Sequence, residues 1–182
     1  MRGDSVRLVF FILVLSMAWQ NCHAQSGLRR PCPVDPSAVW HNCVGLYKHP
    51  LGDVYVGEWR NDQRDGHGEL TVPDGETYVG TFRYNRPHGQ GTYHYSDGTT
   101  YVGGLRFGKR NGLGALTLVS GERYVGVWRD DKRHGLGRYT FHDGRVFDGE
   151  WRKDQPYGKG SVTYPDGSRV SGRWRNEEYI GP

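Results

Sequence analysis

A repeat of 23 residues constrains the fold of this chain more than any other feature of its 182 residues. Five full repeats and a truncated sixth follow one another without a gap, beginning at Tyr55, Tyr78, Tyr101, Tyr124, Phe147 and Val170. In every repeat the third residue is glycine, the fifth is large and apolar, and the sixth is arginine. A period of this length indicates a row of similar supersecondary units, each of which is stabilised by packing on its neighbours.

Each repeat has the pattern of a β-hairpin. Residues alternate in Tyr55–Arg60, so that the first ring, the glycine and the second ring share one face of a strand. We interpret Asn61–Asp65 as a polar turn, His67–Val72 as the return strand, and Asp74–Gly75 as the turn into the next repeat. A helical interpretation is excluded because the chain contains 28 glycines, and glycine is a poor helix former.

The repeats predict an all-β fold, an elongated single-layer antiparallel sheet of repeated β-hairpins. Glycine weakens a strand unless a large ring covers its bare backbone, and here the rings lie on the same face as the glycines. Either these rings pack on one another as the core, or they form a groove for a peptide, a partner helix or a glycan ring. The aromatic face consists of Tyr55, Trp59, Tyr78, Phe82, Tyr101, Tyr124, Trp128, Phe147 and Trp151.

The pattern Tyr-Val-Gly-Glu-Trp opens the segment Tyr55–Gly68, a Gly-x-Gly closes it, and the pattern recurs every 23 residues. It resembles the MORN (membrane occupation and recognition nexus) repeat, and the resemblance extends from Val44 to about Arg175. The resemblance implies a single-sheet rod that serves protein interaction, with lipid association in some members. It implies no enzyme activity in the repeats, because catalysis in the family comes from a separate domain.

The N-terminus has the pattern of a secretory signal. Two arginines precede Leu8–Trp19, an apolar run of 12 residues. This run is too short to span a membrane, since a spanning helix needs about 18 residues or more. Small residues at Cys22 and Ala24 match a signal-peptidase site. We expect Met1–Ala24 to be removed on export, with an uncleaved signal anchor as the alternative.

The chain is expected to contain five segments. These are a signal peptide at residues 1–24, an N-terminal segment at 25–43, a half-repeat at 44–54, five full repeats at 55–169, and a truncated sixth repeat with a C-terminal cap at 170–182. In an exported chain Cys32 and Cys43 are expected to form a disulfide. Metal binding by these cysteines is disfavoured, because the mature chain has no Cys-x-x-Cys and no paired histidines.

The candidate catalytic and ligand-binding residues fit the repeat better than they fit an active site. His88 and His134 occupy a position that other repeats fill with Asp, Asn or Tyr, so we interpret it as a turn position. The Asp-Gly pairs lack the spacing of a calcium loop, and no helix follows the Gly-x-Gly as a phosphate site requires. A hydrolase is a third function class, but no catalytic constellation supports it. We predict no enzyme, no cofactor and no metal site.

The arginines at the sixth repeat position are expected to form a column on the face opposite the aromatic face. Either nearby carboxylates pair with them and balance the surface, or the column binds an anionic partner. The arginines are Arg60, Arg83, Arg106, Arg129, Arg152 and Arg175. The expected carboxylate partners are Glu58, Asp62, Asp131, Glu150 and Asp154.

These features predict a non-enzymatic, secreted or cell-envelope module for protein–protein interaction or scaffolding. Its location is expected to be extracellular, or the periplasm or cell envelope if the source is bacterial. The alternative function is peripheral binding of anionic lipid or another polyanion through the arginine column, and weak lipid binding is expected at most. Nucleic-acid binding is disfavoured, because the formal net charge is only +4 and is spread along the chain. No transmembrane span is expected after signal cleavage.

Overall fold

The structure is a computed structural model that describes residues 29–35 and 37–182. The predicted signal peptide at residues 1–24 lies outside the described residues. Within them the regular structure consists of thirteen β-strands, β1 to β13, without a helix. The strands form one open antiparallel sheet whose order follows the chain. The predicted all-β sheet of repeated hairpins is therefore confirmed.

The described residues divide into two compact units, of which the first ends at residue 86 and the second comprises residues 87–182. The strands of the first unit are β1 (Cys43–Lys48), β2 (Val54–Arg60), β3 (Gln63–Thr71) and β4 (Thr77–Arg83). Each is antiparallel to the next, because two-residue and longer hairpin loops connect them.

The second unit continues the same hairpin pattern. Its first strand, β5 (Arg86–His94), begins at the last residue of the first unit. The strands that follow are β6 (Thr100–Arg106), β7 (Lys109–Thr117), β8 (Arg123–Arg129), β9 (Lys132–Thr140), β10 (Val146–Arg152), β11 (Gln155–Thr163), β12 (Arg169–Arg175) and β13 (Glu178–Gly181).

The turn inside each repeat contains only two residues. Asn61 and Asp62, between β2 and β3, both have positive φ, at 51° and 59°, as a type I′ turn requires. The predicted polar turn at Asn61–Asp65 is therefore wrong, and the return strand begins at Gln63 rather than His67. The type I′ turn matches the right-handed twist of the strands, so pairing resumes directly after it.

A β-bulge lies a few residues beyond this turn. Gly57 pairs with Gly68, whereas Trp59 pairs with Arg64, so the ladder between β2 and β3 shifts its register there. Gly66 lies within the bulge at a φ of 111°, a conformation that glycine adopts without the strain of a side chain. The first glycine of the Gly-x-Gly thus shapes the bulge, and the second belongs to the core.

The histidines that precede such bulge glycines are strand residues. His88 lies in β5 and His134 lies in β9, so their interpretation as turn residues is wrong. The Nδ1 atom of His88 lies 3.4 Å from the backbone N of Phe107, and the two rings are 4.8 Å apart. The side chain of His88 therefore packs beside the turn of the next hairpin.

The Asp-Gly pairs form the turns between repeats, as predicted. At Asp74–Gly75 the backbone N–H of Val72 donates to the carbonyl of Glu76 at 3.0 Å. The Asp74 carboxylate accepts a hydrogen bond from the N–H of Glu76 at 3.1 Å, and Gly75 has a φ of 92°. The aspartate side chain and the glycine backbone together fix this turn.

The aromatic face forms the core of the sheet. In the second unit Gly126 and Gly137 are cross-strand partners, and the ring of Tyr124 lies over the backbone of both. The Tyr124 hydroxyl donates to the carbonyl of Val127 at 3.0 Å. All nine residues of the aromatic face are at most 7% exposed. The rings therefore pack on one another and on bare glycine backbone, which gives a single-layer sheet a core.

The tryptophans of the second unit join successive repeats. Trp128 packs edge-on against Tyr124 of its own repeat and Tyr101 of the preceding one, at centroid distances of 5.1 and 5.7 Å. Its Nε1–H donates to the carbonyl of Gly114 at 3.2 Å. Each such ring contributes contacts that an isolated hairpin lacks, which explains why the repeats depend on their neighbours.

We expect alkaline pH to destabilise the fold through Tyr124. Burial raises the pKa of its hydroxyl from 10.0 to about 12. Because the folded-state pKa is the higher one, this stabilisation is complete below pH 10 and is lost as the pH rises from about 10 towards 12. Urea unfolding at pH 8 and pH 11 should show a loss roughly 1 kcal/mol larger for the native chain than for Tyr124→Phe. Equal losses in the two proteins would contradict this role.

Candidate functional site

The N-terminal segment of the described chain is tied to the edge of the first unit. The predicted disulfide is present, joining Cys32 to Cys43 at an S–S distance of 2.05 Å. The N–H of Cys32 donates to the carbonyl of Val44 at 2.9 Å, and the N–H of Val44 donates to the carbonyl of Arg30 at 3.0 Å. The segment therefore covers part of β1 with backbone hydrogen bonds, which protects an otherwise open sheet edge.

Trp40 continues this segment over the first full repeat. Its N–H donates to the Asp62 carboxylate at 2.7 Å, and the N–H of Asp62 donates back to the carbonyl of Trp40 at 3.0 Å. The Trp40 ring packs edge-on against Trp59, with the centroids 5.0 Å apart. The turn of the first repeat thus holds the N-terminal segment in place.

A groove of about 980 Å³ lies between this segment and the first strands. The rings of Trp40, Tyr47 and Trp59 line it, and Asp62 and Arg64 supply polar groups. Tyr47 is 43% exposed, whereas Trp59 is 7% exposed. The groove therefore has an accessible aromatic ring, Tyr47, and a buried one, Trp59. Its lining also contains an acidic and a basic side chain.

Arginines that the sequence analysis missed lie over the aromatic core of the second unit. The Arg110 guanidinium lies 4.2 Å from the centroid of the Trp128 ring. Its Nε lies 3.3 Å from the Asp131 carboxylate, and its Nη2 donates to the Asp131 carbonyl at 3.0 Å. Arg133 repeats this arrangement with Asp154 and with the Trp151 ring at 4.4 Å. Each arginine therefore links one repeat to the turn of the next.

A sequence signal for these arginines exists at the tenth repeat position. That position is arginine or proline in every full repeat, namely Arg64, Pro87, Arg110, Arg133 and Pro156. Arg64 in the first unit donates from Nη2 to the carbonyl of Asn85 at 3.0 Å. Each of the three arginines at the tenth position lies over an aromatic ring of the core. The sixth position is the more conspicuous one in the sequence, because it is arginine in every repeat.

The five full repeats identify the family to which the chain belongs. A family model of the MORN repeat matches residues 55–77, 78–100, 101–123, 124–144 and 147–169. The chain belongs to the MORN repeat family. No curated relative matches it in sequence.

Two solved structures are among those similar to this MORN protein. The TCP domain of Drosophila melanogaster SAS-4 (dCPAP), in complex with a proline-rich motif of Ana2 (dSTIL), is 14% identical with a TM-score of 0.48. That match covers 79% of this chain and 83% of that one. The wild-type TCP10 domain of Danio rerio CPAP is 17% identical with a TM-score of 0.45, and 72% of this chain matches 62% of that one.

The arginines at the sixth position of the MORN repeats lie at the ends of their strands and are exposed. Their expected carboxylate partners are wrong. Arg60 pairs with Asp65 at 3.7 Å, whereas Glu58 pairs with Arg29 at 3.3 Å. In the second unit the two-residue turns direct Asp131 and Asp154 towards the arginines at the tenth position instead.

The described part of this MORN protein, residues 29–35 and 37–182, contains no group of three or more His, Cys, Asp or Glu side chains placed to hold a metal ion. The same residues also contain no helix that is long and apolar enough to cross a membrane.

We expect Asp131→Ala to lower the free energy of unfolding by roughly 1–2 kcal/mol, because it removes the acceptor for the N–H of Arg110 at 2.9 Å. Asp130→Ala is the matched control, since Asp130 is the other residue of the same turn and also has positive φ. Asp131→Asn keeps the acceptor and should be nearly neutral, as Asn85 fills this role in the first unit. Urea unfolding in which both alanine variants lose equal stability would contradict the link.

Proposed function

We propose that this MORN protein is an exported, non-enzymatic interaction module that binds a segment of a partner protein in the groove of its first unit. The observation that carries the proposal is the groove of about 980 Å³, lined by Trp40, Tyr47 and Trp59. Aromatic side chains provide large contact areas at a small entropy cost and are enriched where proteins bind one another.

The construction of the groove supports binding. Its N-terminal wall is held by the Cys32–Cys43 disulfide and by the reciprocal hydrogen bonds between Trp40 and Asp62. A wall that is ordered before binding loses little conformational entropy when a partner arrives. The exposed ring of Tyr47 and the donors of Arg64 then contact the bound segment.

Export is part of the same proposal. A disulfide persists in oxidising compartments, and the apolar run Leu8–Trp19 has the length of a signal-peptide core. The intact mass of the protein recovered outside the cytoplasm should correspond to a chain that begins at Gln25. Recovery of a product that still contains Leu8–Trp19 would overturn the signal assignment.

A site-specific crosslinker tests the groove. With a photoreactive group at Val34, which lines the groove and is fully exposed, a partner protein should be captured from extracellular or envelope extract. Trp40→Ala and Tyr47→Ala should abolish this capture, whereas Tyr157→Ala, a substitution of another half-exposed tyrosine, should not. Capture that survives both groove substitutions would overturn the proposal.

Membrane binding through the arginine column is tested with the same protein. Flotation with vesicles that contain anionic lipid should show weak and salt-sensitive association, because surface charges are screened at physiological salt. Tight association that is lost in Arg83→Gln/Arg106→Gln/Arg129→Gln would favour a peripheral membrane protein instead.

A further inference from the structure

The second unit exposes an apolar patch on the sheet face opposite its aromatic core. Leu113 and Leu136 are 72% and 69% exposed, and Val102 and Val125 are 54% and 41% exposed. Exposed apolar clusters of this kind mark interaction surfaces. The apolar patch consists of Val102, Leu113, Ala115, Val125, Val127 and Leu136.

The strand register places these residues in two adjacent rows. Val102 pairs with Ala115, which in turn pairs with Val125, so one row crosses β6, β7 and β8. Leu113 pairs with Val127 in the second row. Cross-strand partners project from the same face of a sheet, and residues two apart on one strand do so as well. The two rows therefore form one continuous surface.

Two like-charged pairs border this patch on the same face. Arg106 lies directly opposite Lys109, and Arg129 lies directly opposite Lys132, at successive hairpin tips. All four side chains are exposed. Directly opposed like charges destabilise a sheet. We refer to these four residues as the basic tips.

The corresponding hairpin end of the first repeat has no pair of like charges. Arg60 lies opposite Gln63, which is uncharged, and pairs with Asp65 at 3.7 Å. Among the described residues, none of the four basic-tip side chains forms a salt bridge.

The turn between Arg129 and Lys132 contains Asp130 and Asp131, and Asp131 pairs with Arg110, so only Asp130 offsets the two cations of that tip. The turn between Arg106 and Lys109 contains no carboxylate. Both basic tips therefore remain positive, which suits an anionic partner.

We infer that the apolar patch and the basic tips bind an acidic amphipathic helix of a partner protein. The tips are two strands apart, about 10 Å, and seven residues of an α-helix rise by about 10.5 Å. A helix that crosses β6 to β9 therefore places an acidic side chain at each tip when such residues recur every seventh position. Its apolar stripe then covers Leu113 and Leu136.

The border of the patch favours a helix over a membrane. On β10, Glu150 lies opposite Leu136, and Asp148 lies next to Arg138 at 2.7 Å. An anionic bilayer would repel and dehydrate these carboxylates, whereas a helix of limited length ends before them. The apolar patch itself contains no Trp, Tyr or Phe, the residues that anchor proteins at membrane interfaces. Phe107, in the turn between Arg106 and Lys109, is 41% exposed and packs against the ring of His88 at a centroid distance of 4.8 Å. This surface is independent of the groove in the first unit.

The inference is tested with a labelled 14-residue synthetic helix, about 21 Å long, that has a leucine stripe and two glutamates seven positions apart on one flank. Fluorescence anisotropy with the full chain should show binding at least about tenfold tighter than for the same peptide with lysine at those positions. Helical content of the glutamate peptide should rise on binding, and a central proline should abolish binding.

Matched variants locate the site. Arg106→Gln/Arg129→Gln should weaken binding about tenfold, and Leu113→Ser/Leu136→Ser should weaken it similarly. Arg123→Gln/Arg169→Gln removes the same charge at the other end of the strands and should have no effect. All these side chains are exposed, so thermal unfolding should confirm that the variants fold.

Several results would overturn the inference. The first is equal affinity for the glutamate and lysine peptides. The second is peptide binding that persists in the basic-tip and leucine variants. The third is that the full chain floats with phosphatidylserine vesicles through the basic tips but does not bind the glutamate peptide. Trp40→Ala should retain peptide binding, so a failed groove proposal and a failed helix surface are distinguishable.

Discussion

Replacement of Trp128 by alanine should lower the free energy of unfolding by about 3–5 kcal/mol, the usual loss for a large aromatic residue in a core. The side chain is only 3% exposed and packs against Tyr101, Tyr124 and the Arg110 guanidinium. Its loss would also leave the carbonyl of Gly114 without the indole donor. Chemical denaturation of the two proteins at neutral pH measures the difference.

Tyr157→Ala is the control for this prediction, because Tyr157 belongs to the same unit but is 38% exposed. It should lose less than about 1 kcal/mol. A loss for Trp128→Ala as small as that of the control would mean that the ring contributes little to the core and is available to a ligand.

Gly137→Ala should destabilise the fold by about 3 kcal/mol, the upper end of the usual loss on overpacking, because the new methyl group displaces a core ring. A Cβ at this position would lie 2.5 Å from Cε2 of Tyr124 and in collision with its hydroxyl. The strand backbone on both sides is paired, so the glycine cannot move away. Unfolding in urea measures the loss.

Two comparisons separate this collision from the general effect of removing a glycine. Gly112→Ala meets no atom within 4 Å, so it should lose only roughly 1–2 kcal/mol through its positive φ of 88°. In a Tyr124→Ala background, Gly137→Ala should lose far less than in the native chain, since the obstructing ring is gone. An unchanged loss in that background would contradict the packing of the ring on glycine.

The hairpins could be predicted in type but not in register. Alternation in Tyr55–Arg60 and the Asp74–Gly75 turn depends on neighbouring residues alone, and both features are present in the structure. The two-residue turn at Asn61 and Asp62 was missed, because these residues also suit longer turns. Gln63, Arg64 and Asp65, which the predicted turn would have contained, belong to β3, and the bulge at Gly66 accommodates the extra residues of that strand.

The candidate groove could be predicted only in part. The disulfide follows from two cysteines in an exported chain, and it is present between Cys32 and Cys43. The position of Trp40 depends on hydrogen bonds to Asp62, which is 22 residues away in sequence. No local pattern reports such a contact.

The sequence by itself determined the repeat, the family and the pairing of rings with glycines, because each is a property of spacing along the chain. The tertiary structure alone decided which charges meet. Asp131 binds Arg110 of the preceding repeat rather than Arg129 of its own, since the two-residue turn and the lateral packing of hairpins set its direction. For the same reason only the register could reveal that Arg106 opposes Lys109 beside an exposed apolar surface.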